Sequence, residues 1–453
     1  MLPAPQHSAQ YFARYAEPEA ALAAPIEGTY DAAIVVPLCR ESPAFLAGYE
    51  AARRAFPGRV LLVLVVNGAD GASPETHLEN QGLLSALAER FGDRTELSLP
   101  GVAARAWLAR ESLGDVLWLD RASPGVRLPR GEGVGLARKL GADLAVQLWA
   151  RGQIACSQIA CSDADATLPA DYFARLVRAA TTEPSSPALL WPFEHVPAGD
   201  SALDEATLLY EISLRYYVLG LAAAGSPYAY QSVGSSLCVD ARAYVSVRGF
   251  PKRAAAEDFY LLDKLAKLGP LRRLNGAPLR LSARFSDRVP FGTGRGTRDI
   301  AELESPRDQF KLYSPALFAA LRTVLAGLDA FASSRVPGAL RSAIEASSTE
   351  LVEPTLAALE SLNVFAALEA AATQAPAGPV LRRRVHTWFD ALRTLRFMHL
   401  LRDACAPSLP WHDALARAPF LAEPFADGDS PAAVLARLAL AESELPELVG
   451  PTR

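Results

Sequence analysis

Two carboxylates stand one residue apart in CSDADATLP, residues 161–169, where Asp163 and Asp165 follow an apolar run and precede a proline. Alternate side chains of an extended segment point the same way, so carboxylates at this spacing are able to meet on one hard cation. Mg2+ and Mn2+ take such oxygen ligands and share their remaining positions with phosphates. A plain reading competes, because aspartates are common in turns and at helix starts, where they accept backbone N–H bonds. For an isolated motif the plain reading is the commoner one. A second acidic pair, Glu257 and Asp258, opens the periodic stretch EDFYLLDKLAKLG. One of its carboxylates, within reach of a hydroxyl, would serve as a general base; the same pair also suits the first turn of a helix, which favours negative charge.

Other residues carry weaker signals. The stretch SDRVPFGTGRGTRD, 286–299, sets Arg288, Arg295 and Arg298 among alternating glycines. It is neither a P-loop nor a G-x-G-x-x-G. It reads equally as a loop whose arginines close over a diphosphate and as a solvated hairpin tip. Gly234, in YQSVGSSLCVD, is a further candidate for an acceptor or diphosphate loop, and His195, in WPFEHVP, is a candidate acceptor contact or metal ligand. A lone histidine after a strand is more often structural. The cysteines, Cys39, Cys156, Cys161, Cys238 and Cys405, are scattered, with no CxxC pair and no zinc-like cluster, and read as buried free thiols in a reducing compartment.

The elements that must position these residues follow from periodicity. AAIVVPL and RVLLVLVV are continuous apolar runs separated by the helical FLAGYEAARRAF, the pattern of a parallel α/β sheet buried on both faces. A helix over about 78–91 and a strand at TELSL extend it, and residues 101–131, rich in turn formers, read as an insertion. EGVGLARKLGADLAVQLWA, 132–150, has helical period despite Gly133, Gly135 and Gly141. Each such glycine costs ~1 kcal/mol in a helix interior, which points to something approaching closely. QIACSQIACSDAD is a strand with the acidic motif at its carboxyl end, where ligands bind in open α/β sheets. The strand PALLWPFEH, a long helix over about 203–223, the helix at 257 and the strand APLRLSARF come next. From about 305 onward alanine- and leucine-rich periodic segments separated by prolines predict a helical domain.

Composition narrows the function. The chain has 453 residues, half of them hydrophobic, and a formal net charge of -5. It is large enough for two or three domains, and its charge argues against a partner bound by neutralising nucleic-acid phosphates. The first residues lack a basic leader and apolar core, and VLLVLVV falls well short of the ~20 residues of a membrane helix. A cytoplasmic protein with no transmembrane segment is therefore expected. LRRRVHTWFDALRTLRFMHLLRD, 381–403, has the composition of a basic amphipathic helix. That form fits peripheral contact with a membrane or an acidic partner, and fits equally a bundle in which the arginines are paired or solvated.

Five pieces stand in order: VVPLCRES (35–42), VVNGADG (65–71), GVGLARKLGAD (133–143), the D-x-D, and VRGFPKRAAAED (247–258). Together they resemble a family 2 type glycosyltransferase with the nucleotide-diphospho-sugar transferase (GT-A) fold, over about residues 30–300. The resemblance implies a Rossmann-like mixed sheet flanked by helices at 31–304, preceded by an N-terminal extension, 1–30, and followed by a mostly α-helical domain, 305–453. It implies that Pro37, Leu38 and Glu41 line the nucleotide pocket, that Asn67 reaches the base, and that Arg138 approaches the sugar or phosphates. Asp163 and Asp165 would meet Mg2+ or Mn2+ and the ribose or diphosphate, and Asp258, beside Glu257, would be the base that takes the acceptor proton. The implied activity is transfer of a sugar from a UDP- or GDP-sugar to a hydroxyl acceptor, with inversion. Arg40, Asn67 and Lys139 depart from the family's usual residues, which bears on base and sugar identity. A nucleotide-sugar-binding protein without catalysis is the alternative. A sugar-phosphate nucleotidyltransferase fits less well, because PLCRESPAF lacks the glycine-rich basic loop such enzymes carry after the first strand.

Overall fold

The structure, a computed structural model, describes residues 5–182, 186–286, 292–347, 350–421, 425 and 428–451. The chain forms two compact units, Met1–Ala198 with Ser232–Arg295, and Gly199–Gln231 with Gly296–Arg453.

The first unit is α/β. Its centre comes from the two apolar runs, which form β1 (Ala32–Leu38) and β2 (Val60–Asn67), buried along their whole length. They pair in parallel, with Ala32 opposite Val60 and Leu38 opposite Val66. The strands β3 (Arg94–Leu97), β4 (Arg105–Ala109) and β5 (Val116–Arg121) lie on the β2 side. On the other side β6 (Gln158–Cys161) runs parallel to β1. After the two-residue β7 (Ala166–Thr167) come β8 (Ala188–Leu190), β9 (Phe193–Val196), β10 (Leu237–Asp240), β11 (Leu271–Arg273) and β12 (Leu279–Ser282). In the main sheet the order is β11-β8-β10-β6-β1-β2-β5-β4-β3, and β7-β12-β9 form a separate small sheet. β10 is antiparallel to both β6 and β8, so the sheet is mixed. With β2 on one side of β1 and β6 on the other, the carboxyl end of β1 is a topological switch point.

Two expectations change here. Residues 101–131 are not an insertion: β5 pairs in parallel with β2 from Leu62–Val116 to Asn67–Arg121, and β4 adds to β5. The turn formers at 111–114 are the hairpin between them. PALLWPFEH is two strands, because the chain leaves the main sheet after Leu190 and joins the small one at Phe193.

The α-helices of the chain's first 301 residues are α1 (Pro5–Arg14), α2 (Ala47–Ala55), α3 (Pro74–Arg90), α4 (Val134–Ala150), α5 (Tyr172–Thr182), α6 (Ser201–Ala223), α7 (Ala241–Ser246), α8 (Glu257–Ala266) and α9 (Thr293–Ala301), of which α1 to α5, α7 and α8 belong to the first unit. The glycines of α4 are explained by contact. A Cβ on Gly141 would run into Val35 and Val65 of the sheet, and one on Gly135 would lie 2.5 Å from the Pro251 carbonyl oxygen. Gly141 lets α4 lie directly on β1 and β2, and Gly135 lets the backbone of 251–253 lie against α4. The segment before residue 31, expected as an extension, packs onto α4: Tyr11 Oη donates to Asp143 at 2.5 Å, the Glu17 amide donates to the same carboxylate at 2.7 Å, and Lys139 Nζ pairs with it at 2.9 Å.

The second unit is mostly helical. It includes α6, which the sequence order had grouped with the sheet. Asp200 caps α6 by accepting from the Ala202 and Leu203 amides, and Leu209, Ile212 and Tyr216 join Leu317, Leu321, Val324 and Phe331 in one core. Arg215 is buried against Glu211 and Glu442. The helix Pro315–Ser334 has 20 residues, and an 18-residue stretch within it has a mean hydropathy of 1.4. By length and composition alone it reaches what a membrane span needs, as does the bent pair Val352–Ser361 and Val364–Gln374 taken as one, a test that the core helix of a soluble protein also passes. In Pro315–Ser334, 56% of that stretch is buried within the protein, as in a core helix. The basic stretch 381–403 breaks at Phe389–Asp390 into two helices. Several of its arginines are paired: Arg382 with Asp329, Arg393 with Asp390, and Arg402 with Asp403.

Candidate active site

The carboxyl edge of the first unit's sheet gathers residues far apart in sequence. Pro37 and Leu38 end β1, buried, and the chain then turns through Arg40, whose φ of 57° lies in the left-handed region. The Arg40 amide donates to Asn80 Oδ1 at 2.8 Å, and its guanidinium pairs with Glu79 at 2.7 Å. This turn leads into Glu41, whose side chain is largely buried. Asn67 ends β2 and is buried; with its amide oriented to suit its neighbours, it donates to the Leu38 and Val65 carbonyls, and its own carbonyl accepts from Asn80 at 2.9 Å. It braces the two strand ends.

Asp163 and Asp165 follow β6 in a turn rather than in an extended segment. The Asp163 carbonyl accepts from the Ala166 amide at 3.1 Å and from Tyr49 Oη at 2.5 Å. Tyr49, fully buried on α2, is a positioning residue that sequence reading missed. Gly48 beside it lies so close that a Cβ would fall 2.6 Å from the Ala166 carbonyl oxygen. The acidic-turn and binding readings therefore describe the same residues. Backbone atoms close the turn while the carboxylates reach two different guanidinium groups.

Arg138, on α4, is one of them. Its Nη2 donates to Asp163 Oδ1 at 2.7 Å and its Nε to Glu257 Oε1 at 2.8 Å. Burial alone would lower its pKa, but Asp163 and Glu257 raise it above the ordinary value, so the group stays charged. Gly234 lies against it, and a Cβ there would sit 2.5 Å from Nη2. Arg284, two residues beyond β12, is the second. It bridges Glu41, at 2.8 and 3.0 Å, and Asp165, at 2.8 Å. Burial opposes its charge while Asp165 and Glu41 sustain it, with the pKa raised. No sequence motif marked Arg284; the signal was the surplus of carboxylates, which calls for cations nearby.

Glu257 and Asp258 open α8 after Ala256, whose φ of 57° is unusual for a residue with a Cβ. Asp258 Oδ1 accepts from the Phe259 amide at 2.7 Å. Although the side chain keeps some contact with solvent, desolvation and then the neighbouring Glu257 push its pKa up to about 7, against the opposing pull of Arg138. That is the range of a general base working near neutrality.

The remaining candidates are placed less centrally. His195 lies on β9, opposite Leu281 of β12, its ring edge-on to Phe193. Arg295 and Arg298 are on α9 rather than in a loop, and Arg288 lies outside the described residues. Cys156, Cys161 and Cys238 are buried, but Cys405 is exposed, against expectation.

The donor set can be tested against a divalent cation. Among the described residues no three histidine, cysteine, aspartate or glutamate side chains are grouped so as to hold a metal ion by themselves. The carboxylates of Glu41, Asp163, Asp165, Glu257 and Asp258 nevertheless outnumber the guanidiniums of Arg138 and Arg284. Hard oxygens with a surplus of negative charge fit Mg2+ or Mn2+ when phosphate supplies the other ligands. No family model matches the chain, and no curated protein matches it. Among solved structures it is similar to a mannosyltransferase from Pyrobaculum calidifontis in complex with GDP-Man and Mn2+, at 14% identity, covering 86% of this chain and 95% of that one, with a TM-score of 0.32.

Proposed function

We propose that the first unit is a sugar transferase that uses a UDP- or GDP-sugar and a hydroxyl acceptor, and that it works in the cytoplasm. The observation that carries the reading is the meeting of Asp163, Glu257, Asp258 and Arg138, from three separate segments, beyond the carboxyl ends of β1 and β6, with Asp258 held near about 7.

In this reading Asp258 accepts the proton of the acceptor hydroxyl as it attacks the anomeric carbon, giving inversion. Glu257 is a positioning residue, which keeps Asp258 basic by its charge and holds Arg138 by its hydrogen bond. Arg138 fixes the D-x-D turn from one side and Tyr49 fixes it from the other. Pro37, Leu38 and Asn67 form the floor on which the nucleoside lies. Asp163 and Asp165 would hold Mg2+ or Mn2+, which supplies positive charge to the departing diphosphate.

The test is a thermal-shift panel of nucleoside diphosphates and their sugars, with and without Mn2+, followed by product detection. A ligand at 100 times its Kd stabilises by ~2.7 kcal/mol. A shift with one nucleotide sugar, abolished in its metal-dependent part by Asp165→Ala, supports the reading. Asp258→Asn should retain that shift and lose transfer. Binding without transfer or hydrolysis by the unaltered protein would favour the non-catalytic alternative.

A further inference from the structure

We infer that Arg284 and a divalent cation are alternative partners of Asp165, so that the site refuses the bare cation and admits it only together with a diphosphate. The inference rests on the proposed nucleotide-sugar reading. The guanidinium of Arg284 bonds to both Glu41 and Asp165, at 2.8 to 3.0 Å, with the planar fork that suits carboxylates. A cation reaching Asp165 must displace one arm of that fork while being repelled by its charge.

The geometry makes the exchange feasible. The Arg284 side chain is 32% exposed and Asp165 is 23% exposed, whereas Glu41, at 11%, is the more enclosed end. The arm to Asp165 can therefore open while the arm to Glu41 stays closed. Arg138, with its side chain 3% exposed and bonds to Asp163 and Glu257, has no comparable freedom. A diphosphate changes the balance twice, by adding oxygen ligands for the cation and by offering the released guanidinium an anion.

The experiment measures Mn2+ alone, without nucleotide, by titration calorimetry and by loss of the free-ion electron paramagnetic resonance signal. Arg284→Met should bind Mn2+ at least about tenfold more tightly than the unaltered protein. Arg284→Lys, which keeps the charge but not the fork, should fall between them and serves as the readout should the Met variant fold poorly. Adding Asp165→Asn to either variant should remove the gain. Equal Mn2+ affinity in the unaltered protein and both variants, or a gain that survives Asp165→Asn, overturns the inference. Because no nucleotide is present, such a failure is distinct from failure of the nucleotide panel, which tests the sugar-transfer reading.

Discussion

Arg138 and Arg284 hold neighbouring aspartates of one turn by the same chemistry, yet in opposite manners. Arg138 comes from a helix pressed onto the sheet, is itself almost wholly buried, meets the buried Glu257 and the partly exposed Asp163, and has Gly234 against its guanidinium. Arg284 comes from the end of a two-sided small-sheet strand, and its guanidinium stays within reach of water. A buried ion pair is costly to break because the remaining charge is stranded, whereas a solvent-accessible pair contributes little. The first arginine is a strut and the second an exchangeable partner.

Predictions that break or sharpen this contrast run from large to small. Arg138→Met should destabilise the first unit by about 3–5 kcal/mol, since Asp163 and Glu257 lose their shared cation; denaturant unfolding measures it. Asp258 reports the same contrast through protons. The folded chain keeps a proton on Asp258 up to about 7, while an unfolded carboxyl releases it near about 4. The contribution to stability is therefore present below about 4 and lost as pH rises through about 7. Asp258→Asn should flatten that decline in a series of melting curves, and transfer by the unaltered protein should fall about tenfold per pH unit below about 7. Removing Arg138, but not Arg284, should move that midpoint higher, because Arg138 is the cation that lowers it.

Gly234→Ala should cost about 1–3 kcal/mol by forcing a Cβ against the Arg138 guanidinium. Arg284→Ala should cost less than Arg138→Met, about 1–2 kcal/mol, because it strands the enclosed Glu41 carboxylate but leaves Asp165 open to water; a loss as large as that of Arg138→Met would erase the distinction. The smallest effect belongs to Ala256→Gly, a gain of roughly 0.5 kcal/mol from relieving left-handed backbone, readable as a small rise in Tm.

How far the sequence revealed this arrangement depended on the kind of signal. β1 and β2 were legible because unbroken β-branched runs leave little choice of element. The acidic motifs were legible as residues, but their partners were not. Arg284 sits in SARF with no motif around it, and only the pairing of β12 with β7 carries it to Asp165. β5 was mistaken for part of an insertion because the turn formers flanking VLWLD outweighed its own apolar run. α9 was read as a loop because Gly294 and Gly296 disfavour helix locally. In the fold they permit close approach instead: a Cβ on Gly296 would sit 2.5 Å from the Tyr210 ring. Helix α6 was recognised as a helix but assigned to the wrong unit, since contiguity along the chain says nothing about which core buries it.

The pair Arg138–Lys139 gives α4 two duties on consecutive residues. Arg138 serves the acidic turn, while Lys139 joins Asp143, Tyr11 and Tyr244 in a closed knot of hydrogen bonds that fastens the chain's opening stretch. Trimming the protein back to residue 31 would cut that knot and leave Asp143 and Lys139 with fewer partners in the interior, one turn from the arginine that steadies the acidic turn. The opening stretch is thus a brace for the helix that carries Arg138, and a shortened form should lose ligand affinity before it loses its sheet.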